Sequence, residues 1–183
     1  MELLKDEYVS EYGWAIDLPA GWEKLPDSGP GAIALHKPVV FCRSDDYDLS
    51  LTWMVAGHPM SQAVADRFVT AVATLGPVDK PDIASIIQGT FPLIGEADKA
   101  EVIELADGSH ALEVTEKYSD TTSTDMHGGY QLIWPVKDVS NYPLTFQRLC
   151  FYAPFRKFFG VIGTVRQAAR SMRYLRPFGI EVS

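Results

Sequence analysis

The fold of this chain is decided near its C-terminal end, by the sequence Leu144-Thr145-Phe146-Gln147-Arg148-Leu149-Cys150-Phe151-Tyr152-Ala153-Pro154 and the segment that follows it up to Tyr174. The quoted stretch is rich in β-branched and aromatic residues, which is typical of a β-strand. Pro154 suits the first turn of a helix, where its missing N–H group is no loss. The sequence therefore predicts a strand that leads directly into a helix.

The predicted helix, Phe155–Arg173, is amphipathic. Its apolar side chains fall three or four positions apart and form one stripe: Phe155, Phe158, Phe159, Ile162, Val165, Ala169 and Met172. We expect four of them to be largely buried: Phe158, Ile162, Val165 and Met172. Gly160 and Gly163 lie within this stretch, and we interpret them as positions that let the helix approach the sheet closely.

The same region is basic, although the chain has 24 acidic and 16 basic residues and a net charge of −8. No acidic residue lies between Asp138 and Glu181. Three of its arginines are spaced to share one helix face: Arg166, Arg170 and Arg173. One hypothesis is that they dock an acidic protein partner. The other, which we favour, is that they neutralise the acidic body of the protein and complement the helix dipole.

Upstream of this region, alternating strands are separated by turns and by one clear helix. The cleanest alternation of inward-facing residues is Tyr47, Leu49, Leu51, Trp53 and Val55. Asp107-Gly108, between the strand-like segments 100–106 and 109–118, predicts a β-hairpin. The order of strands, helix, strands and helix predicts an α+β fold, in which a mainly antiparallel sheet is flanked by helices. We expect a single domain over residues 1–183, with its core at about 11–175.

Composition excludes several classes of protein. With 46% hydrophobic and 22% charged residues the chain is globular. No apolar run reaches the roughly 20 residues of a membrane-spanning helix, so we expect no membrane insertion. The segment Met1–Glu7 is acidic and lacks the features of a signal peptide, which predicts a cytoplasmic protein. A chain this acidic is not expected to bind nucleic acid.

No motif in the sequence specifies a reaction. The four histidines are not spaced for one metal: His36, His58, His110 and His127. A G-x-S-x-G nucleophile elbow is absent as well. We interpret Cys42 and Cys150 as reduced, small buried hydrophobes rather than as a disulfide or a metal site. The prediction is a protein with no catalytic residues, no metal and no cofactor.

Two short segments resemble a known superfamily. The run from Tyr12 to Trp22 (YGWAIDLPAGW) resembles the opening strand, Leu-Pro and x-Gly-Trp of the PsbP-like superfamily. That superfamily includes DcrB-like domains and the Eag-type chaperones of type VI secretion. Its domains end in an aromatic strand and a helix that closes as Ser171–Tyr174 does here. The resemblance implies an α/β/α sandwich around an antiparallel sheet that binds another macromolecule.

Three functions stay open at this point. The first is a non-enzymatic binding or adaptor protein that engages a protein partner, for which the resemblance suggests a bacterial secretion-associated chaperone or an immunity protein. The second is a carrier of a small apolar ligand or lipid, with a cleft lined by Trp53, Trp134 and Phe151. The third is an enzyme of unrecognised type. A homodimer is compatible with each of the three.

Overall fold

The computed structural model describes residues 4–26, 37–55, 61–119, 125–136 and 145–175. Within these ranges the chain forms eleven strands and three helices. The strands are β1 (Leu4–Val9), β2 (Trp14–Pro19), β3 (Trp22–Lys24), β4 (Val39–Arg43), β5 (Asp46–Val55), β6 (Gly76–Val78), β7 (Glu96–Glu104), β8 (His110–Ser119), β9 (Met126–Val136), β10 (Thr145–Pro154) and β11 (Arg173–Tyr174). The helices are α1 (Gln62–Ala71), α2 (Lys80–Ile87) and α3 (Phe155–Arg170).

The strands form two sheets. The larger sheet has eight strands in the order β3-β4-β5-β10-β9-β8-β7-β6, and the smaller has three in the order β1-β2-β11. The described strand pairs run antiparallel in both sheets. The strand predicted from the quoted sequence is β10, which lies between β5 and β9 in the middle of the larger sheet. The predicted α+β fold with a mainly antiparallel sheet is confirmed.

Each face of the larger sheet carries its own hydrophobic core. On one face, α3 and the smaller sheet cover a core that contains Trp14, Trp53 and Trp134, each at most 1% exposed. On the other face, α1 and α2 cover a core in which the rings of Phe68 and Phe146 meet edge to face at 4.7 Å. Neighbouring residues of one strand serve different cores because their side chains alternate across the sheet. The result is the α/β/α sandwich that the resemblance implied.

The hairpin predicted at Asp107-Gly108 joins β7 to β8. Gly108 has a φ of +82°, a conformation that glycine adopts without steric cost. A carboxylate oxygen of Asp107 accepts a hydrogen bond from the backbone N–H of Ser109 at 2.9 Å. The turn chemistry therefore places the hairpin where the sequence indicated it.

Glycine does bring α3 close to the sheet, but the glycines are in the strand and not in the helix. A Cβ built on Gly128 of β9 would lie 2.4 Å from Phe158 Cγ. A Cβ built on Gly160 or Gly163 would meet no heavy atom within 4 Å. Our interpretation of Gly160 and Gly163 is therefore wrong, since both lie on the exposed side of α3.

The inner face of α3 is largely as predicted. Phe158 is 5% exposed and Val165 is 1% exposed, and Met172, just after the helix, is fully buried. Ile162 is half-buried. Phe159, which belongs to the same apolar stripe but was not among the four residues expected to be buried, is 67% exposed. Successive helix residues point about 100° apart, and once Phe158 faces the sheet its neighbour cannot do so.

The end of α3 lies earlier than predicted. The helix ends at Arg170, and Ser171 is its C-cap. The Ser171 hydroxyl donates a hydrogen bond to a carbonyl of the last turn at 2.6 Å and accepts one from the Asp17 N–H at 2.8 Å. These bonds turn the chain toward β2, with which Arg173 then pairs as part of β11. The sequence predicts that Arg173 shares a helix face with Arg166 and Arg170. This prediction is wrong, because Arg173 lies beyond the end of the helix.

Candidate functional site

A groove runs along the flank of α3 beside β7 and β8. The helix packs on β9, β10 and β2, so the neighbouring part of the larger sheet is left partly open on this face. One end of the groove has a volume of about 200 Å³ and is lined by Phe155, Phe159 and Ile162 from the helix and by Lys99 from β7. We call the whole feature the α3 groove and this part its apolar end.

The groove continues toward the C-terminal end of α3 as a wider polar end. This part has a volume of about 630 Å³ and is lined by Glu101 and Glu113 from the strands and by Arg166 and Arg170 from the helix. Lys99 and Arg166 line both ends, which makes the two parts one continuous depression. An apolar surface thus adjoins a surface of paired charges.

Glu113 is the buried centre of the polar end. Its side chain is 3% exposed, and one carboxylate oxygen lies 3.0 Å from Arg170 Nη2 and 3.4 Å from Arg166 Nε. The other oxygen accepts a hydrogen bond from the Tyr130 hydroxyl at 3.1 Å. The hydrogen bond to Glu113 raises the pKa of Arg170, and burial together with the Glu113 charge raises the pKa of Tyr130 well above its ordinary value.

Arg173 belongs to a different part of the surface. Its guanidinium donates hydrogen bonds to Glu7 of β1 and to Asp17 of β2, the latter at 2.8 Å. These contacts, the one to Asp17 above all, raise the pKa of Arg173. All three arginines thus contact the protein's own carboxylates, as the charge-neutralising hypothesis expects, and only Arg166 and Arg170 lie in the α3 groove. Docking of a partner by these arginines stays a prediction.

The aromatic residues of the alternative ligand cleft lie inside the core. Trp53 and Phe151 are fully buried and Trp134 is 1% exposed. The Trp53 indole N–H donates to the Gln147 side chain at 2.9 Å, and that of Trp134 donates to the Tyr174 hydroxyl at 3.0 Å. None of the three lines the α3 groove. A cleft for an apolar ligand between them stays a prediction.

A second polar cluster lies on the opposite face of the larger sheet. Glu116, 1% exposed, accepts hydrogen bonds from the backbone N–H groups of Ile94 and Gly95 at 2.7 and 2.8 Å. Gln131 donates to Glu116 at 2.8 Å and accepts from Arg148 at 3.2 Å. The carboxylate thereby ties the segment between α2 and β7 to the sheet. We therefore interpret this cluster as structural, since its hydrogen bonds hold the Ile94–Gly95 segment against the sheet.

Both cysteines are free and buried. Cys42 lies in β4 and Cys150 in β10, with β5 between these strands. Two strand spacings separate the residues by about 10 Å, which exceeds the Cα separation of about 7 Å that a disulfide tolerates. Burial raises the pKa of both thiols, which makes them less reactive. Their burial in the core is confirmed, and their reduced state stays a prediction.

Two of the four histidines, His36 and His58, lie outside the described residues. The Nδ1 atoms of the other two lie near backbone carbonyl oxygens, at 2.7 Å for His110 and at 3.2 Å for His127. Among the described residues, no three His, Cys, Asp or Glu side chains come together as metal ligands would. Each of the helices α1, α2 and α3 is too short or too polar to cross a membrane.

Comparison with known proteins reveals similarity at the level of structure only. No family model and no curated protein matches the chain. A solved structure that does match is the solution structure of cyanobacterial PsbP (CyanoP) from Synechocystis sp. PCC 6803. Its TM-score is 0.50 at 15% identity, over 92% of this chain and 91% of that chain. The crystal structure of LpqN, involved in cell envelope biogenesis of Mycobacterium tuberculosis, has a TM-score of 0.48 at 14% identity, over 91% and 88% of the two chains.

This protein has a PsbP-like fold. The resemblance drawn from the opening strand and the last helix is thus confirmed for the fold. At 15% identity, similarity to CyanoP concerns the arrangement of strands and helices alone. What the α3 groove does must therefore be inferred from its own residues.

The sequence pattern does not by itself indicate the α3 groove. Lys99 belongs to a strand far from α3 along the chain, so only the fold brings the two together. The one available signal is the excess of apolar residues in α3, since Phe155 and Phe159 widen the stripe beyond the width that Phe158 and Val165 need. An apolar stripe wider than the core contact indicates an additional surface.

Proposed function

We propose that this PsbP-like protein is a non-enzymatic binding protein that engages a protein partner through the α3 groove. The observation that carries the proposal is Phe159, whose side chain is 67% exposed at the apolar end. The Phe155 ring lies beside it, with the two centroids 5.1 Å apart, and the half-buried Ile162 continues the surface. Accessible aromatic residues in a depression are typical anchors of protein interfaces.

The polar end supports a binding function. Glu113 is held by Arg170, Arg166 and Tyr130 in a set of ion pairs and hydrogen bonds. These contacts hold the Glu113 carboxylate in a fixed position beside the helix. A hydrophobic surface beside a charged one also has the composition of a protein interface, in which an apolar centre is bordered by polar groups.

The more specific forms of this function are proposals that rest on the sequence resemblance. In one form the protein is a secretion-associated chaperone, and in another it is an immunity protein; both would act in the bacterial cytoplasm. Each requires a protein partner, and each makes the α3 groove the first surface to test.

The test compares two exposed aromatic residues. The partner is first identified by pull-down from the native host, and its affinity is then measured for the wild type, Phe159→Ala and Tyr47→Ala. Tyr47, at the start of β5, is 62% exposed and serves as the matched control. We expect Phe159→Ala to weaken binding about tenfold or more, as loss of an interface anchor does, and Tyr47→Ala to leave it unchanged. Equal affinities for all three proteins would contradict the proposal.

A further inference from the structure

Two basic side chains lie at or near the apolar end of the α3 groove, one on the strand side and one on the helix. Lys99 projects from β7 into the groove, and Arg156 lies on α3 three residues before Phe159. Both side chains are exposed, and neither makes an ion pair within the described ranges. Lys99 interacts electrostatically with the neighbouring Asp98 carboxylate, but Asp98 forms its direct ion pair with Lys117.

The neighbouring carboxylates are already engaged by other groups. Asp98 lies 2.6 Å from the ammonium group of Lys117. Glu113 and Glu101 both pair with Arg170, at 3.0 and 3.7 Å. The charged residues that line the apolar end are three basic and two acidic ones, so the local balance is positive although the chain has a net charge of −8: Lys99, Lys117, Arg166, Asp98 and Glu116. This local sign determines which partner chemistry complements the groove.

The exposed side of α3 carries a glycine near Phe159. Gly163 lies one turn after Phe159, and a Cβ built on it would meet no heavy atom within 4 Å. Glycine is unfavourable in an exposed helix relative to alanine, and nothing in the described structure requires it here. Its absent side chain leaves room for the main chain of a partner beside the Phe159 ring. Around the helix axis Gly160 points about 100° away from Phe159, whereas Gly163 points only about 40° away.

Charge distinguishes among the possible occupants. The α3 segment Phe155–Arg170 contains no acidic residue, so two copies that paired symmetrically through this helix would bring like charges together. An anionic membrane would repel a chain of net charge −8. A short acidic segment differs from both, because it meets only the locally basic surroundings of the groove and not the whole acidic surface of the chain.

We therefore propose, building on the function proposed above, that the occupant of the α3 groove is an acidic segment of a partner protein. One apolar side chain of the segment packs on Phe159 and Ile162. Flanking carboxylates pair with Lys99 and Arg156, and the main chain of the segment passes over Gly163. Affinity comes mainly from the apolar contact, whereas the charges select the partner and accelerate association.

A displayed library of random peptides tests this composition before any partner has been identified. The library is selected on the wild-type protein and depleted on Phe159→Ala, so that the retained peptides need the apolar end. We expect enrichment of an aromatic or large aliphatic residue with Asp or Glu on both sides. Enriched peptides are then synthesised and their affinities measured at low and high salt.

Matched variants test whether Lys99 and Arg156 are the groups that bind the acidic residues of the peptides. Reversal at both positions, Lys99→Glu with Arg156→Glu, is expected to weaken the enriched peptides about tenfold or more and to abolish their salt dependence. Lys80→Glu is the control, because Lys80 is an exposed cation at the polar end. Gly163→Leu should weaken the same peptides, and Gly160→Leu should not.

Each alternative result has a separate meaning. Phe159-dependent peptides without an acidic preference would overturn this inference and leave the proposed function standing. Failure to enrich any Phe159-dependent peptide would count against both. If the wild type bound phosphatidylglycerol vesicles and Phe159→Ala did not, the occupant of the groove would be a membrane surface and not a protein segment. That result would overturn the inference.

Discussion

Gly128 lies so close to Phe158 that a Cβ built on it would be 2.4 Å from the Phe158 Cγ. This contact sets the distance between α3 and β9, because Phe158 is the aromatic residue that the helix inserts toward the sheet. We predict that Gly128→Ala destabilises the protein by about 1–3 kcal/mol, the usual cost of overfilling a packed core. Urea-induced unfolding measures this change directly.

Gly160→Ala is the control for that experiment. It adds the same methyl group in open space on an exposed helix face, so it should stabilise the protein by about 0.5–1 kcal/mol through helix propensity. Opposite signs for the two variants are the expected result. If both variants, or neither, were destabilised, the close contact between Gly128 and Phe158 would not be the cause of the loss of stability in Gly128→Ala.

The sequence predicts the individual strands and helices of this fold better than it predicts the tertiary contacts between them. The β10–α3 unit follows from local composition and from Pro154, and the β7–β8 hairpin follows from Asp107-Gly108. The short strand β11 depends instead on pairing with β2, which no local pattern in Arg173–Tyr174 indicates. Local signals indicate helices and strands, whereas the shortest strands arise from tertiary pairing.

The candidate site was harder to predict for the same reason. Helical periodicity places Phe155, Phe158 and Phe159 in one apolar stripe but does not show how much of the stripe the sheet covers. The sheet covers Phe158 and leaves Phe159 open. In a similar way, the spacing of Arg166 and Arg170 indicates a common face, but their buried partner Glu113 comes from a distant strand. Contacts between residues far apart in the sequence become visible only in the folded structure.

The two thiols should be inert in the folded protein. Burial raises the pKa of Cys42 and of Cys150, and little thiolate is present at neutral pH. We predict two free thiols by intact-mass analysis after alkylation in denaturant, and slow labelling under native conditions. Cys42 should react before Cys150, because β4 is next to the three-residue edge strand β3 whereas β10 is central. Rapid native labelling, or a stoichiometric metal in the purified protein, would refute this assignment.

The ion pair between Asp98 and Lys117 should contribute to stability in a pH-dependent way. The Lys117 hydrogen bond lowers the pKa of Asp98 below its ordinary value of 3.8. A carboxyl with a lowered pKa stabilises the folded state above that ordinary value, and the contribution is lost as the pH falls through the folded value. Both side chains are partly exposed, at 34% for Asp98 and 48% for Lys117, so Asp98→Asn should cost only about 0.2–1 kcal/mol at pH 7.

The measurement is urea unfolding of the wild type and Asp98→Asn over a series of pH values. The difference in unfolding free energy should shrink as the pH falls below 3.8. Lys117→Met serves as the control, since it removes the partner that lowers the pKa and should show the same convergence with the wild type. A difference that stays constant with pH would mean that the pair does not stabilise the fold.

Arg170 and Arg173 should differ in their effect on stability, although both form ion pairs. Arg170 pairs with Glu113, whose side chain is 3% exposed, whereas Arg173 pairs with Asp17 and Glu7, which are 37% and 51% exposed. Removal of Arg170 leaves a buried carboxylate with a weaker set of partners. We predict that Arg170→Met costs about 1–3 kcal/mol and that Arg173→Met costs less than about 1 kcal/mol.

Denaturant unfolding of the two variants and of Arg170→Met combined with Glu113→Gln tests the reason for this difference. If the cost comes from the stranded Glu113 carboxylate, Glu113→Gln should recover part of the stability that Arg170→Met loses, because a neutral amide is cheaper to bury than an unpaired charge. Additive losses in the double variant would show that the two residues act independently. Arg170→Glu should be the most damaging substitution at this position, since it places a second carboxylate beside Glu113. Partner-binding experiments should therefore reverse Lys99 and Arg156, which form no direct ion pair within the described ranges and whose substitution leaves the buried Glu113 pair intact.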